Sequence, residues 1–90
     1  MNKNYISGRN AEYRAIRRLK QDGAVVAHRS AGSHSLFDVF ALMGDGSARF
    51  VQVKAGSSPL KYSELANLPH KDNVSLELWH WVDGQFVIYR

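Results

Sequence analysis

Two apolar segments joined by a short turn constrain this chain more than any other feature. Residues 36–43 and 47–54 are rich in branched and aromatic side chains. Such strands are typical of a sheet that is buried on both faces. Asp38 lies in the first segment, and Gln52 and Lys54 lie in the second. Because a buried charge is costly unless it is paired or binds a metal, these polar residues require an explanation.

The turn sets the register of the predicted hairpin. A three-residue loop whose last residue is a left-handed glycine is common in hairpins, and residues 44–46 (Gly-Asp-Gly) fit it. Counting back from this turn places Asp38 opposite Gln52. Opposed residues share a sheet face and side chains alternate along a strand, so Lys54 is predicted to share that face. A four-residue loop would instead put Asp38 opposite Val53 and separate the three residues.

Length and composition limit the classes of protein to consider. Ninety residues predict one small domain over 1–90. The chain has no cysteine, which excludes disulfides and thiolate metal sites and agrees with a cytoplasmic location. No apolar stretch approaches membrane-spanning length, so we expect no membrane partner. The formal net charge of +4 favours a polyanionic partner.

A predicted amphipathic helix carries an acidic residue on its apolar side. Ser7 is predicted to be the helix N-cap and Gly23 to be the stop. Between them Glu12 shares one helical stripe with Ala15 and Leu19. The stripe puts a carboxylate on the core-facing side of the helix. The alternative is that Glu12 is an ordinary residue at the edge of the core.

The rest of the chain predicts strands and one more helix. Residues 24–29 predict a first strand, and the polar loop 30–35 follows it. Ser58-Pro59 predicts the start of a second helix. Residues 74–90 predict a final hairpin with its turn at Asp83-Gly84. The order α-β-β-β-α-β-β predicts an α/β (α+β) fold, with two helices on a mixed five-stranded sheet.

The acidic residues and the lysine, in this order, resemble the PD-(D/E)XK nuclease superfamily. The archaeal-type Holliday-junction resolvases and their phage-borne relatives are the closer resemblance within it. The residues that carry the resemblance are Gly8, Glu12, Arg29, the loop 31–35, Asp38 and Gln52-Val53-Lys54. The resemblance implies a restriction-endonuclease-like core, whose order α-β-β-β-α-β agrees with the predicted elements.

The resemblance implies an endonuclease that depends on Mg²⁺, with Mn²⁺ as a substitute. Mg²⁺ prefers oxygen ligands and lowers the pKa of bound water, which suits phosphodiester hydrolysis. Asp38 would be the principal ligand, together with the Gln52 side-chain carbonyl and the Val53 backbone carbonyl. Lys54 would hold the attacking water and offset charge in the transition state. Glu12 would bind a second metal or orient its waters.

The resemblance also implies residues that contact DNA. Ser33, which we count among the catalytic residues, would touch the phosphate next to the cut. The alternative is that the loop 30–35, which contains Ser33, only connects two strands. The residues that we expect to bind DNA are Arg9, Arg29, Gly32, Ser33, His34 and Lys61.

One residue departs from the family pattern. Gln52 stands where an acidic residue is usual, so the metal site has one negative charge fewer. Three functions stay open: a Holliday-junction resolvase, a nuclease of this fold on flaps, branched or duplex DNA, and a nucleic-acid-binding module that does not cut. Gln52 is the residue that keeps the third function open. A purely structural interpretation is a buried pair of Asp38 and Lys54.

We expect a homodimer that binds four-way DNA junctions. Two symmetric cuts need two active sites, which a two-fold dimer supplies. The strand over residues 74–81 is apolar on both faces, which predicts that Trp79 and Trp81 lie in the interface. The alternative is that both tryptophans pack internally under the second helix.

Overall fold

The structure, a computed structural model, describes residues 3–30, 35–56 and 61–90, with side chains from residue 9 onward. The sequence of elements confirms the predicted order α-β-β-β-α-β-β and the α+β class. The elements are α1 (Lys3–Gln21), β1 (Ala24–Arg29), β2 (Val39–Met43), β3 (Ala48–Ala55), α2 (Tyr62–Ala66), β4 (Val74–Val82) and β5 (Gln85–Tyr89).

The first helix is longer than predicted. It begins at Lys3, so the predicted N-cap at Ser7 is wrong, because Ser7 lies within the helix. Nothing between Lys3 and Ser7 breaks a helix, and serine inside one costs only a fraction of a kcal/mol. The helix ends at Gln21, which confirms the stop predicted at Gly23. No helix in the described parts of the chain is long and apolar enough to cross a membrane.

The second helix is described only in part of its predicted range. The predicted start at Ser58-Pro59 falls outside the described residues. The described helix, α2, spans Tyr62–Ala66 and buries Leu65. It ends before Pro69, and a helix this short covers little of the sheet.

The five strands form one mixed sheet in the order β1-β2-β3-β4-β5. β3 and β4 are parallel, and the other neighbouring pairs are antiparallel. One end of the sheet therefore gathers the last residues of β1, β3 and β4 and the residue before β2. Arg29, Asp38, Lys54 and Trp81 all lie at this end, which we call the Asp38 end.

The register predicted for the central hairpin is confirmed. Val39 pairs with Val51 and Phe40 with Phe50, as the three-residue turn requires. Gly46 has a φ of 88°, the left-handed conformation that this turn needs at its last position. A one-residue slip would have moved every side chain of β2 to the other face.

Asp38 does not lie inside the strand as predicted. β2 begins at Val39, and the Asp38 backbone N–H donates to the Val51 carbonyl at 2.9 Å. Since Val51 is already paired with Val39, this bond marks the point where the chain leaves the regular ladder. The carboxylate therefore lies at the strand edge, where it can reach backbone groups of β3.

The face of the sheet beneath α1 holds the main apolar core. Trp79 is fully buried there, and its ring centroid lies 5.1 Å from that of Phe86. The prediction that Trp79 lies in a dimer interface is wrong, and it packs under the first helix, not under the second. The buried residues of this core are Ala11, Ala15, Leu19, Ala27, Val39, Ala41, Met43, Val51, Val53 and Trp79.

A buried ion pair accompanies this core. Arg49 on β3 donates to both carboxylate oxygens of Glu77 on β4, at 2.8 and 2.9 Å. The Trp79 indole N–H donates to the same carboxylate at 2.8 Å. Burial raises the pKa of Glu77, but the hydrogen bonds from Arg49 and Trp79 outweigh it and hold the pKa below its ordinary value. The pair joins the two parallel strands in the centre of the sheet.

Among the described residues, the opposite face is covered by α2 where it packs on β4 and in part by Phe37, whose ring centroid lies 5.6 Å from that of Phe50. The rest of this surface, which we call the open face, carries Val26, Phe40, Leu42 and Phe50. These side chains are 38–45% exposed. The expectation that both hairpin strands are buried on both faces is therefore wrong, because the described part of the second helix is too short to reach β2.

Candidate active site

Glu12 is held at the Asp38 end of the sheet by an arginine. It lies half-buried on α1, and its Oε1 accepts a hydrogen bond from Arg29 Nε at 3.0 Å. This confirms that the acidic residue of the helical stripe faces the sheet. The hydrogen bond to Glu12 raises the pKa of Arg29. Because Arg29 ends β1, the pair fixes the middle of α1 against the first strand.

The Asp38 carboxylate accepts a backbone hydrogen bond at the end of the ladder between β2 and β3. Its Oδ2 accepts a hydrogen bond from the Val53 backbone N–H at 2.8 Å. Val53 is buried, so without this acceptor its N–H would lack a partner where β2 has not yet begun. Oδ1 receives no hydrogen bond from any described residue. One carboxylate oxygen thus has a structural role.

The charges around Asp38 act in opposite directions. Burial raises the pKa of Asp38, and the Val53 N–H lowers it. The negative charge of Glu12 also raises this pKa, while Lys54 and Arg29 lower it, and the net shift is upward. Two carboxylates are therefore close enough to repel each other, with a lysine and an arginine beside them. A bound cation would reduce the repulsion between these two carboxylates.

Gln52 and Lys54 lie on the open face of β3, beside these charges. Both are half-buried, and they pair with Leu78 and His80 of β4. In the described structure no hydrogen bond joins Gln52 to Asp38, because the Asp38 carboxylate turns to the backbone of Val53. The predicted cluster is thus gathered at one end of the sheet, without direct contact between Asp38 and Gln52.

The oxygen atoms at this end suit a hard divalent ion. The N–H and the C=O of one strand residue face the same neighbour, so the Val53 carbonyl faces Asp38 as its N–H does. Asp38 Oδ1, this carbonyl and the Gln52 amide oxygen are all ligand types that Mg²⁺ accepts, and Mg²⁺ completes its shell with water and phosphate. No group of three or more His, Cys, Asp or Glu side chains forms a metal cluster within the described residues.

The other predicted residues are distributed unevenly. Arg9 is exposed, and its guanidinium carbon lies 5.8 Å from the Tyr13 ring centroid, one helical turn away. Lys61 pairs with Glu64 at 3.8 Å on an exposed surface, and no described contact joins it to Asp38. Gly32, Ser33 and His34 lie outside the described residues.

Sequence reasoning missed Tyr13. Its hydroxyl accepts a hydrogen bond from Arg29 Nη1 at 3.4 Å, and the guanidinium carbon of Arg29 lies 5.1 Å from its ring centroid. Hydrogen bonds from Arg9 and Arg29, together with their charges, lower the pKa of Tyr13. Its position four residues after Arg9 and next to Glu12 was the available signal. Tyr13 joins Arg9 to the Glu12–Arg29 pair.

No protein-family model, curated protein or solved structure matches this chain. The function is therefore inferred from the residues gathered at the Asp38 end.

Proposed function

We propose that this protein is a Mg²⁺-dependent endonuclease with the restriction-endonuclease-like fold of the PD-(D/E)XK superfamily. The observation that carries the proposal is the position of Asp38. Its half-buried carboxylate is within electrostatic reach of both Glu12 and Lys54 and has one oxygen without a described donor. The α-β-β-β-α-β order of the first six elements is a second support.

Each residue at the Asp38 end has a role in the proposed hydrolysis. Asp38, Gln52 and the Val53 carbonyl would hold the metal ion, which supplies charge neutralisation and a lowered pKa for bound water. Lys54 orients the attacking water and offsets negative charge on the phosphate. Arg29 keeps Glu12 in place, and Mn²⁺ would substitute for Mg²⁺ because it accepts the same oxygen ligands.

We propose four-way DNA junctions as the substrate and a homodimer as the active form. The resemblance to junction resolvases and the net charge of +4 support a DNA partner. The exposed side chains Val26, Phe40, Leu42 and Phe50 support self-association, because their register places them side by side on the open face. A second copy seated there would cover this apolar surface and bring two sites together.

A cleavage assay tests the enzyme proposal. A labelled four-way junction and a linear duplex of the same sequence are incubated with Mg²⁺, with Mn²⁺ or with EDTA. We expect metal-dependent cuts in the junction and far fewer in the duplex. Asp38→Asn should abolish cutting, whereas Asp72→Asn, an exposed carboxylate at the other end of the sheet, should leave it unchanged.

The same assay separates the remaining functions. Equal cutting of duplex and junction would refute the resolvase proposal and favour a nuclease of broader substrate range. Junction binding without any cutting would favour a binding module, which one observation supports: Glu12 and Asp38 both have protein donors, Arg29 and the Val53 N–H. Cutting that persists in EDTA would refute the metal site.

Sedimentation at micromolar protein tests the dimer. We expect a dimer mass for the wild type and a monomer for Leu42→Lys, because Leu42 is 45% exposed on the open face. Tyr89→Lys is the control and should stay dimeric, because Tyr89 has a similar exposure on the same face but lies three strands from β2, next to Tyr62 of α2. A wild-type monomer would refute the preformed dimer.

A further inference from the structure

A second basic surface lies along the flank of α1, on the side away from Glu12. It is a groove of about 450 Å³ between α1 and the β4–β5 hairpin. Arg14, Arg17 and Arg18 line one wall, and Trp81 and Phe86 line the other. None of the residues that line the groove is acidic. Its lining combines positive charge with aromatic surface.

An aromatic contact positions one of these arginines. The guanidinium carbon of Arg14 lies 4.6 Å from the Trp81 ring centroid, a close cation–π distance. Trp81 is itself held edge-on against Phe86, with 4.9 Å between the ring centroids. Arg14 therefore loses little conformational freedom when a ligand binds, and stacking leaves its N–H groups available as donors.

The charge in the groove is only partly compensated. Arg18 pairs with Asp22 at 3.2 Å in an exposed contact. Neither Arg14 nor Arg17 forms an ion pair with a described carboxylate. Arginines three and four residues apart on one helix face repel each other by a few tenths of a kcal/mol per pair. A bound anion would remove this repulsion.

We propose that this groove binds the phosphates of a DNA strand, as a contact surface separate from the Asp38 site. Guanidinium groups match phosphate in charge and in hydrogen-bond geometry, and an unpaired base can stack on the face of an aromatic ring. The proposal rests on the proposed function only for the choice of DNA as the ligand.

The position of the groove is compatible with one strand reaching both sites. Trp81 pairs with Ala55, the residue after Lys54, so the groove meets the Asp38 end of the sheet. β5 is three strands from β2, which corresponds to roughly 14 Å across the sheet. This separation spans about four nucleotides of a B-form strand. A strand held in the groove can thus present a phosphate to Asp38.

The test is fluorescence anisotropy with a short labelled single-stranded DNA, in EDTA so that no cleavage occurs. The variant is Arg14→Gln with Arg17→Gln. Its matched control is Lys20→Gln with Lys71→Gln, which removes the same charge from exposed residues outside the groove. Thermal unfolding followed by circular dichroism checks that both variants fold.

We expect the groove variant to bind about tenfold more weakly at ~100 mM salt and its slope of log K against log salt to fall by about two. The control should change affinity less than twofold. Equal losses in variant and control, or no loss in the groove variant, would overturn the proposal. Arg17→Gln alone, which breaks no described contact, should give part of the loss even if the double variant unfolds.

Intrinsic fluorescence gives an independent measurement. The chain has two tryptophans, and Trp79 is fully buried, so a change on binding reports Trp81. We expect DNA to quench the wild type and not Trp81→Phe. Quenching that persists in Trp81→Phe would refute the stacking contact.

The two proposals fail in different ways. If the wild type cuts junctions but the groove variant binds DNA as tightly as the wild type, the nuclease proposal is supported and the groove proposal is refuted. If the wild type never cuts but the groove variant binds DNA more weakly than the wild type, the groove proposal is supported and the nuclease proposal is refuted. A wild type that binds no DNA refutes both.

Discussion

Replacing Asp38 separates its structural role from its chemical one. Asp38→Asn keeps an oxygen that accepts the Val53 N–H, whereas Asp38→Ala removes it. Both substitutions remove the carboxylate that would hold the metal ion. We therefore expect both variants to lose cleavage and only the alanine variant to lose substantial stability.

The magnitudes follow from the contacts. In Asp38→Asn the hydrogen bond changes from a charged to a neutral acceptor, which costs about 1 kcal/mol. The neutral amide avoids the cost of burying a charge and the repulsion by Glu12, and both effects stabilise the variant. The net change in unfolding free energy should stay within about 1 kcal/mol. Asp38→Ala leaves the N–H of buried Val53 unpaired, which costs about 1–3 kcal/mol.

Burial of the carboxylate also predicts a pH dependence. Because the pKa of Asp38 is raised in the folded protein, its ionised form opposes folding. This penalty is absent below the ordinary aspartate range and grows as the pH rises through the folded pKa. The stability of Asp38→Asn relative to the wild type should therefore be higher at neutral pH than in acid.

Urea unfolding followed by circular dichroism measures these differences, at neutral pH and in acid. For a domain of this size each kcal/mol corresponds to roughly 4–8 °C in Tm. If Asp38→Asn loses as much stability as Asp38→Ala, the hydrogen bond from the Val53 N–H is not the reason that the Asp38 side chain stabilises the fold. If Asp38→Asn cuts junctions like the wild type, Asp38 is not the metal ligand.

Three further predictions concern Gln52 and the buried ion pair. Gln52→Glu should retain cleavage and lower the Mg²⁺ concentration needed, since a carboxylate strengthens a hard-cation site; a higher requirement in a Mg²⁺ titration would refute Gln52 as a ligand. Glu77→Gln should lower the unfolding free energy by about 3 kcal/mol, because it leaves buried Arg49 with only the half-exposed Asp22, 3.4 Å away, as a charge partner. Glu64→Gln, in an exposed pair, should change it by less than about 1 kcal/mol in the same urea experiment. Because the folded pKa of Glu77 is lowered, its contribution to stability is present above the ordinary glutamate range and is lost as the pH falls through the folded pKa. In urea unfolding at acid pH compared with neutral pH, the wild type should therefore lose more stability than Glu77→Gln. Equal losses would contradict the lowered pKa.

The sequence alone determined the order of the elements and the two hairpin registers. These features depend on residues close together in the chain. Gly46 supplies the left-handed residue of the first turn, and Asp83 and Gly84, with φ of 52° and 78°, form the second. Trp81 pairs with Phe86, as a two-residue turn at Asp83-Gly84 requires. Strand periodicity and the first turn also place Asp38 and Lys54 at one end of the sheet, whereas Glu12 joins them only because α1 packs there.

Only the tertiary structure decided which surfaces these elements cover and how the polar groups are paired. A pattern of apolar residues does not say which helix covers a strand, so the sequence predicts an interface position for Trp79, which in fact lies beneath α1. The pairing of Glu12 with Arg29 joins α1 to β1, and the carboxylate of Asp38 bonds to the backbone of Val53 across a strand boundary. The groove beside Arg14 depends on how α1 lies across the sheet. Periodicity fixes the direction of a side chain relative to its own helix or strand, whereas its partners depend on how distant segments pack.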